Sequence, residues 1–178
     1  MTAQFDFTGK RVLVTGASKG IGRGIAEAFG AAGAVVGINY RTDEPGAKAA
    51  ARQIETTGGR AVLLPADVAD PGAVADLFDA FDRAAGPIDA LVNNAGQSGP
   101  TKRVIDLSPE EWQDLLAANL DGPFYCAAEA ARRMIARGEG GRIINITSVH
   151  QDACNVPGTA PYNTSKGGLR NFTRSLAL

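Results

Sequence analysis

Five times along this chain a short, continuously apolar run gives way to a longer stretch with helical spacing. The runs occupy residues 11–15, 34–39, 61–65, 88–93 and 142–146, rich in Val, Ile and Leu. After the first comes an Ala-rich helical stretch at 21–32, and after the second another at 45–57, stopped by Gly58 and Gly59. A third helix opens at Asp70-Pro71, an acidic N-cap before a proline in the first turn. Ser108-Pro109-Glu110-Glu111 is a capping box that opens a long helix over 108–137, ended by glycines 138–141. A last helix starts near Pro161 and is still running at Leu178. Strands that are apolar throughout are buried on both faces, and strands joined by helices lie parallel.

The right-handed crossover rule therefore predicts an α/β fold, a doubly wound parallel sheet of Rossmann-like type, as one domain over 1–178. The chain ends on Leu176-Ala177-Leu178 inside a helical pattern, with five strands where such sheets usually have about six. The expectation is a C-terminally truncated domain.

Composition narrows the function. Glycine makes up 22 of 178 residues with no collagen period, which places glycines at turns and close backbone approaches. Eighteen Lys and Arg against 19 Asp and Glu give a net charge of −1, arguing against nucleic acid or a membrane surface as partner. Cys126 and Cys154 are too few for a disulfide scaffold or a Cys-rich zinc site and fit a reducing compartment. The N-terminus lacks a secretion signal, and no apolar run approaches the roughly 18–20 residues that span a bilayer. A cytoplasmic protein is expected.

Between the first run and the first helix stands Thr15-Gly16-Ala17-Ser18-Lys19-Gly20-Ile21-Gly22. Glycines there let backbone N–H groups approach a pyrophosphate at the positive end of the helix. The spacing G-x-x-x-G-x-G differs from the usual dinucleotide pattern, and Lys19 precedes Gly20, so this is not a P-loop. At the tip of the second strand an acid would bind the ribose of NAD and repel a 2′-phosphate. Here Asn39-Tyr40-Arg41 carries no acid, and Arg41 and Lys19 suit a phosphate. NADP(H) is the preferred cofactor and NAD(H) the alternative.

Tyr162 and Lys166 stand four residues apart near the start of the last helix, on one face. A cation within about 4–6 Å favours the ionised form of a phenol, which equips it to exchange a proton with a substrate oxygen. Alone, this pair is an ordinary helix-surface pattern. Ser148 follows the fifth strand, however, and Asn93-Asn94-Ala95-Gly96 follows the fourth, at the carboxyl edge where open sheets bind ligands. Sequence-distant motifs thus meet at one crevice.

With these motifs in this order, the chain resembles the common short form of the short-chain dehydrogenase/reductase family. The shared features are the TGxxxGxG loop, the NNAG segment, Asn119, Ser148 and YxxxK at Tyr162 to Lys166. The resemblance implies Tyr162 as general acid/base and Ser148 as the residue that polarises the carbonyl. It implies that Lys166 tunes Tyr162 and holds the nicotinamide ribose. Asn119 would sit at a distortion of the long helix and place a water that relays protons to Lys166. Asp67 and Val68 would meet the adenine, while Asn94, Ala95 and Gly96 would line the cofactor, with Gly16, Ser18, Lys19, Gly20, Ile21 and Gly22 around its phosphates. The family continues past the last helix with further strands and a substrate-covering loop, so this span is expected to hold its catalytic residues yet be weakly active or inactive by itself.

Ser148-Val149-His150 resembles the bacterial glucose 1-dehydrogenases of that family, and His150 offers a hydrogen bond to a sugar hydroxyl, although a loop histidine is also ordinarily just solvated. A small carbonyl or alcohol, by preference a sugar or polyol, is the expected substrate, bound by Ser148, His150 and Tyr162. The 3-oxoacyl carrier-protein reductases share most of the same motifs and are the alternative. A nucleotide-binding regulator without turnover is the rival from another class. In that family the long helix and the Tyr-Lys helix pair between subunits, so the resemblance implies a homotetramer or homodimer. Trp112, Leu115, Leu116 and Leu120 form an apolar stripe read as core. His150 is the only histidine, which argues against a catalytic metal and against a Ser-His-Asp hydrolase.

Overall fold

The computed structural model describes residues 5–154 and 156–178, so residues 1–4, part of the N-terminus read for a signal, lie outside the description. Five strands, β1 (Arg11–Val14), β2 (Val35–Tyr40), β3 (Arg60–Pro65), β4 (Ala90–Asn93) and β5 (Arg142–Asn145), form one sheet in the order β3-β2-β1-β4-β5. Every pairing is parallel: Val12 lies opposite Val36 on one side and Ala90 on the other. The chain winds outward from β1 to β3, then returns to place β4 against β1. That reversal opens a crevice at the carboxyl ends of β1 and β4.

The helices are α1 (Gly20–Ala31), α2 (Glu44–Thr56), α3 (Pro71–Ala85), α4 (Pro109–Leu116), α5 (Gly122–Arg137) and α6 (Ala160–Leu176). Side chains alternate across β1. Val12 and Val14 join Ala26, Ala50 and Ile54 in the layer under α1 and α2. Leu13 faces the other way, with Phe78, Phe81, Cys126 and Met134 of α3 and α5. Gly37 in β2 has a packing reason, because a Cβ there would stand 2.8 Å from both Leu13 and Phe81. No helix among the described residues is long and apolar enough to cross a membrane.

Helix starts follow the side-chain chemistry. Asp43 caps α2 at Gly46 N, and Asp70 accepts from Gly72 N at 2.8 Å to start α3. The capping box is closed in both directions, Ser108 Oγ accepting from Glu111 N at 3.2 Å and Glu111 from Ser108 N at 3.0 Å.

The long helix is broken at a π-helical turn, Ala117–Asp121, which is the distortion at Asn119 that the resemblance implied. Pro123 explains the break. It has no N–H for the carbonyl four residues back, that of Asn119, and its ring would collide with that oxygen in a regular helix. Widening the turn by one residue relieves the collision.

Candidate active site

At the crevice the first loop is held by hydrogen bonds. Thr15 Oγ1 accepts from Asn94 N and Ala95 N, both at 3.0 Å. Asn94 Nδ2 in turn donates to the carbonyls of Thr15 and Gly16, at 2.9 and 3.1 Å. Gly16 has φ +61°, and a Cβ there would lie 2.9 Å from Ala95 Cα. At Gly22 a Cβ would lie 2.3 Å from Asn94 Nδ2 and 2.4 Å from Gly16 O. The outer glycines therefore let the loop and the β4 end touch.

What the loop presents outward suits an anion. The first turn of α1 has no side-chain cap and no acidic residue, unlike α2, α3 and α4, which are all capped. Its leading N–H groups lack a side-chain acceptor. Ile21 beside them is 69% exposed, a bare apolar face at the edge of a cleft of about 490 Å³. The cleft is lined by Gly16, Ser18, Lys19, Asp67, Asn94 and Gly96, among others. Uncapped donors, close glycines and an apolar rim fit a nucleotide phosphate with a ring system beside it.

The β2 end divides in two. Asn39 is buried with its amide turned inward: Oδ1 accepts from Gly16 N at 3.2 Å, and Nδ2 donates to Leu64 O and Ala66 O, each at 3.1 Å. It braces the loop from below. Tyr40 is also buried, within the apolar layer under α1 and α2. Arg41 is the outward member, its guanidinium 3.5 Å from Asp67 Oδ2 with 63% of its side chain exposed. Val68 is buried, packed where α5 begins.

On the other flank Asn119, wholly buried in the π-helical turn, ties three segments together. Its Oδ1 accepts from Gln97 N at 2.8 Å, while Nδ2 donates to Gln97 O at 2.9 Å and Ser165 Oγ at 3.3 Å. Both amide hydrogens are committed to protein, so the side chain works as a brace. Ser165 Oγ itself donates back to Tyr162 O at 2.7 Å. Lys166 Nζ donates to Ile146 O at 2.8 Å and lies 5.9 Å from the centre of the Tyr162 ring. Burial lowers the lysine's pKa from 10.5. Ser148 stands before a 3-10 turn, Val149–Gln151, and its Oγ accepts from His150 N at 3.2 Å. The two flanks meet at Gly96: a Cβ there would lie 3.0 Å from Asn119 Oδ1 and 3.9 Å from Lys166 Nζ.

A family model described as short chain dehydrogenase matches residues 10–178. The chain belongs to the short-chain dehydrogenase family. It is 39% identical over 173 residues to glucose 1-dehydrogenase 2 of Bacillus subtilis, covering 97% of this chain and 67% of that protein. It is 43% identical over 175 residues to 3beta-hydroxysteroid dehydrogenase 1 of Eggerthella lenta, covering 97% and 66%. The crystal structure of a short chain dehydrogenase from Burkholderia cenocepacia in complex with NADP matches with a TM-score of 0.89 at 38% identity, over 96% of this chain and 68% of that one. The chain spans about two thirds of the length of the curated relatives it matches.

In this short-chain dehydrogenase the expected residues divide: Tyr40, Val68 and Ala95 line the cleft with the loop, whereas Gly20, Asn119, Ser148, His150, Tyr162 and Lys166 stand outside its lining. Gly16, Ser18, Lys19, Ile21, Gly22, Arg41, Asp67 and Gly96 line the open cleft. Asn39 and Asn94 also border it, yet their amides are committed to holding the loop. Thr15, Gln97 and Ser165 were missed as working residues, although Thr15 and Ser165 lie inside the quoted motifs. The signal for Ser165 was a hydroxyl three residues after Tyr162, which on a helix can bond back to that residue's carbonyl. Cys126 is buried, and burial pushes its thiol up to about 12, which marks it as inert packing.

Proposed function

We propose that the chain binds NADP(H) in the cleft and serves hydride transfer between the nicotinamide and a carbonyl or secondary alcohol. The reading is carried by the meeting at Gly96, where the lysine beside Tyr162 reaches the rim of a cleft fitted to a nucleotide. When bound, the nicotinamide supplies the hydride chemistry. Tyr162 exchanges the proton with the substrate oxygen, and the Ser148 hydroxyl donates to that same oxygen. Lys166 holds the cofactor ribose and keeps positive charge near the phenol. Asn119 keeps Ser165, and through it the first turn of α6, in register with the loop after β4.

Arg41 and Lys19 favour the 2′-phosphate of NADP(H). The exposed Arg41–Asp67 pair is worth little and yields readily to a phosphate. The match to a neighbour in complex with NADP supports this choice. A sugar or polyol is the favoured substrate class, supported by the likeness to a glucose 1-dehydrogenase. The outward Phe124 of α5, 50% exposed with its ring 6.0 Å from Phe172 of α6, supports pairing of these helices between subunits.

The test combines NADPH and NADH titrations with turnover on aldoses, polyols, simple ketones and acyl thioesters. Tighter NADPH binding and turnover of a sugar or polyol are expected. Tyr162→Phe should cut turnover by about 10²–10⁴-fold while NADPH affinity stays within about twofold. Tighter NADH binding would overturn the cofactor choice, and turnover of thioesters alone the substrate class. NADPH binding with no turnover of any compound would favour a regulator.

A further inference from the structure

His150 touches both partners of the proposed proton transfer. Its backbone N–H donates to Ser148 Oγ at 3.2 Å, and its ring stands edge-on to the Tyr162 ring, centroids 5.8 Å apart at 77°. The first contact occupies a lone pair of the serine oxygen and leaves its proton free to be given elsewhere. The second has the geometry that aromatic pairs prefer. The short turn carrying His150 is itself fastened to α6, where Arg170 pairs with Asp152 at 2.7 Å.

Among the described residues the imidazole Nδ1 is closed off from solvent and has no hydrogen-bond partner. The ring's place is therefore set by packing on Tyr162 and not by a polar bond from Nδ1. Nδ1, sealed in this way, is not the atom that could grip a substrate hydroxyl, and the role expected from the sequence would fall to Nε2.

We propose that His150 is a positioning residue, fixing the Tyr162 ring and the Ser148 hydroxyl in one relation through its ring edge and its amide. The inference rests on the proposed reaction for its effect on rate, but its structural half stands apart from it.

The test uses the full chain labelled with ¹³C in its tyrosine rings, the Tyr162 signal being assigned by its loss in Tyr162→Phe. Variants are His150→Ala, His150→Phe and, as a control in the neighbouring loop, Cys154→Ser. The expected result is that His150→Ala shifts the Tyr162 signal and speeds its ring flipping, while Cys154→Ser does neither. On the best substrate of the panel, His150→Ala should lower kcat about tenfold with NADPH affinity unchanged, and His150→Phe should restore most of kcat without raising KM.

An unmoved Tyr162 signal in His150→Ala overturns the proposal, as does a kcat within twofold of the parent. A raised KM in His150→Phe overturns it in favour of direct substrate contact. If the parent chain turns over nothing, the proposed function fails, and an unchanged ring-flip rate in His150→Ala alone then overturns the positioning role.

Discussion

The amide of Asn119 donates to the hydroxyl of Ser165 across 3.3 Å, linking the broken helix to α6. Ser165 passes the link to the Tyr162 carbonyl at 2.7 Å, so a residue on one helix governs the first turn of another. Asn119→Ala would strip Gln97 N and Gln97 O of their bonds to this side chain and Ser165 Oγ of one of its two partners, leaving it the Tyr162 carbonyl. A loss of about 1–3 kcal/mol is expected, the cost of one buried group left short of a partner, because Gln97 is exposed and water can replace its bonds. A urea midpoint unchanged from the parent would refute the bracing role.

Lys166 carries a pH signature. Its pKa is lowered by burial, so below that lowered value the folded chain bears the cost of an enclosed ammonium. As pH rises through the lowered value toward 10.5, the folded form releases its proton before the unfolded form does, and stability rises. Comparing the parent with Lys166→Met by urea unfolding at neutral pH and near pH 10 (the range set by the ordinary lysine value) isolates this group. The parent should gain on the variant with rising pH; a shrinking difference would reverse the assignment.

Gly22 allows no side chain. Its Cβ would meet Asn94 Nδ2 at 2.3 Å and the backbone oxygen of Gly16 at 2.4 Å, and a backbone atom cannot swing aside. Gly22→Ala should therefore weaken NADPH binding at least tenfold and cost about 1–3 kcal/mol of stability. Isothermal titration and thermal melting read the two effects, and wild-type affinity in the variant would show that the loop's fit is not needed.

Far from the cleft, Asp89 closes the opposite end of the sheet. It receives Arg11 Nε at 2.7 Å and Arg11 N at 2.9 Å, with Arg137 3.1 Å away, and its side chain is 12% exposed. Burial pushes its pKa up, but the hydrogen bonds from Arg11 and the two positive charges outweigh that and leave it below 3.8. The stability it confers is present above the ordinary carboxylate value and is lost as pH falls through the lowered one. Asp89→Asn should cost about 2 kcal/mol at pH 7, with parent and variant converging in acid. A gap that persists in acid would locate the cost elsewhere.

Most of the framework was legible in the chain because its signals are local. Valine and isoleucine runs, Asp70-Pro71 and the Ser108–Glu111 box each act within a few residues, and each element formed near its expected bounds. The Tyr162–Lys166 pair was likewise fixed by one turn of helix. The π-helical break had a local sign too, Pro123, although the expectation of a distortion at Asn119 came from the family resemblance and not from that proline. Other features depend on what lies opposite in space. Nothing near Asn39 in the chain says that its amide meets Leu64 and Ala66, or that His150 lies against a tyrosine twelve positions on.

The bare beginning of α1 has a consequence for the protein at rest. With no side chain of its own to answer those amides, this corner is left to water or to whatever anion arrives. Occupancy and firmness rise together, so a melting curve taken against increasing nucleotide doubles as a binding curve.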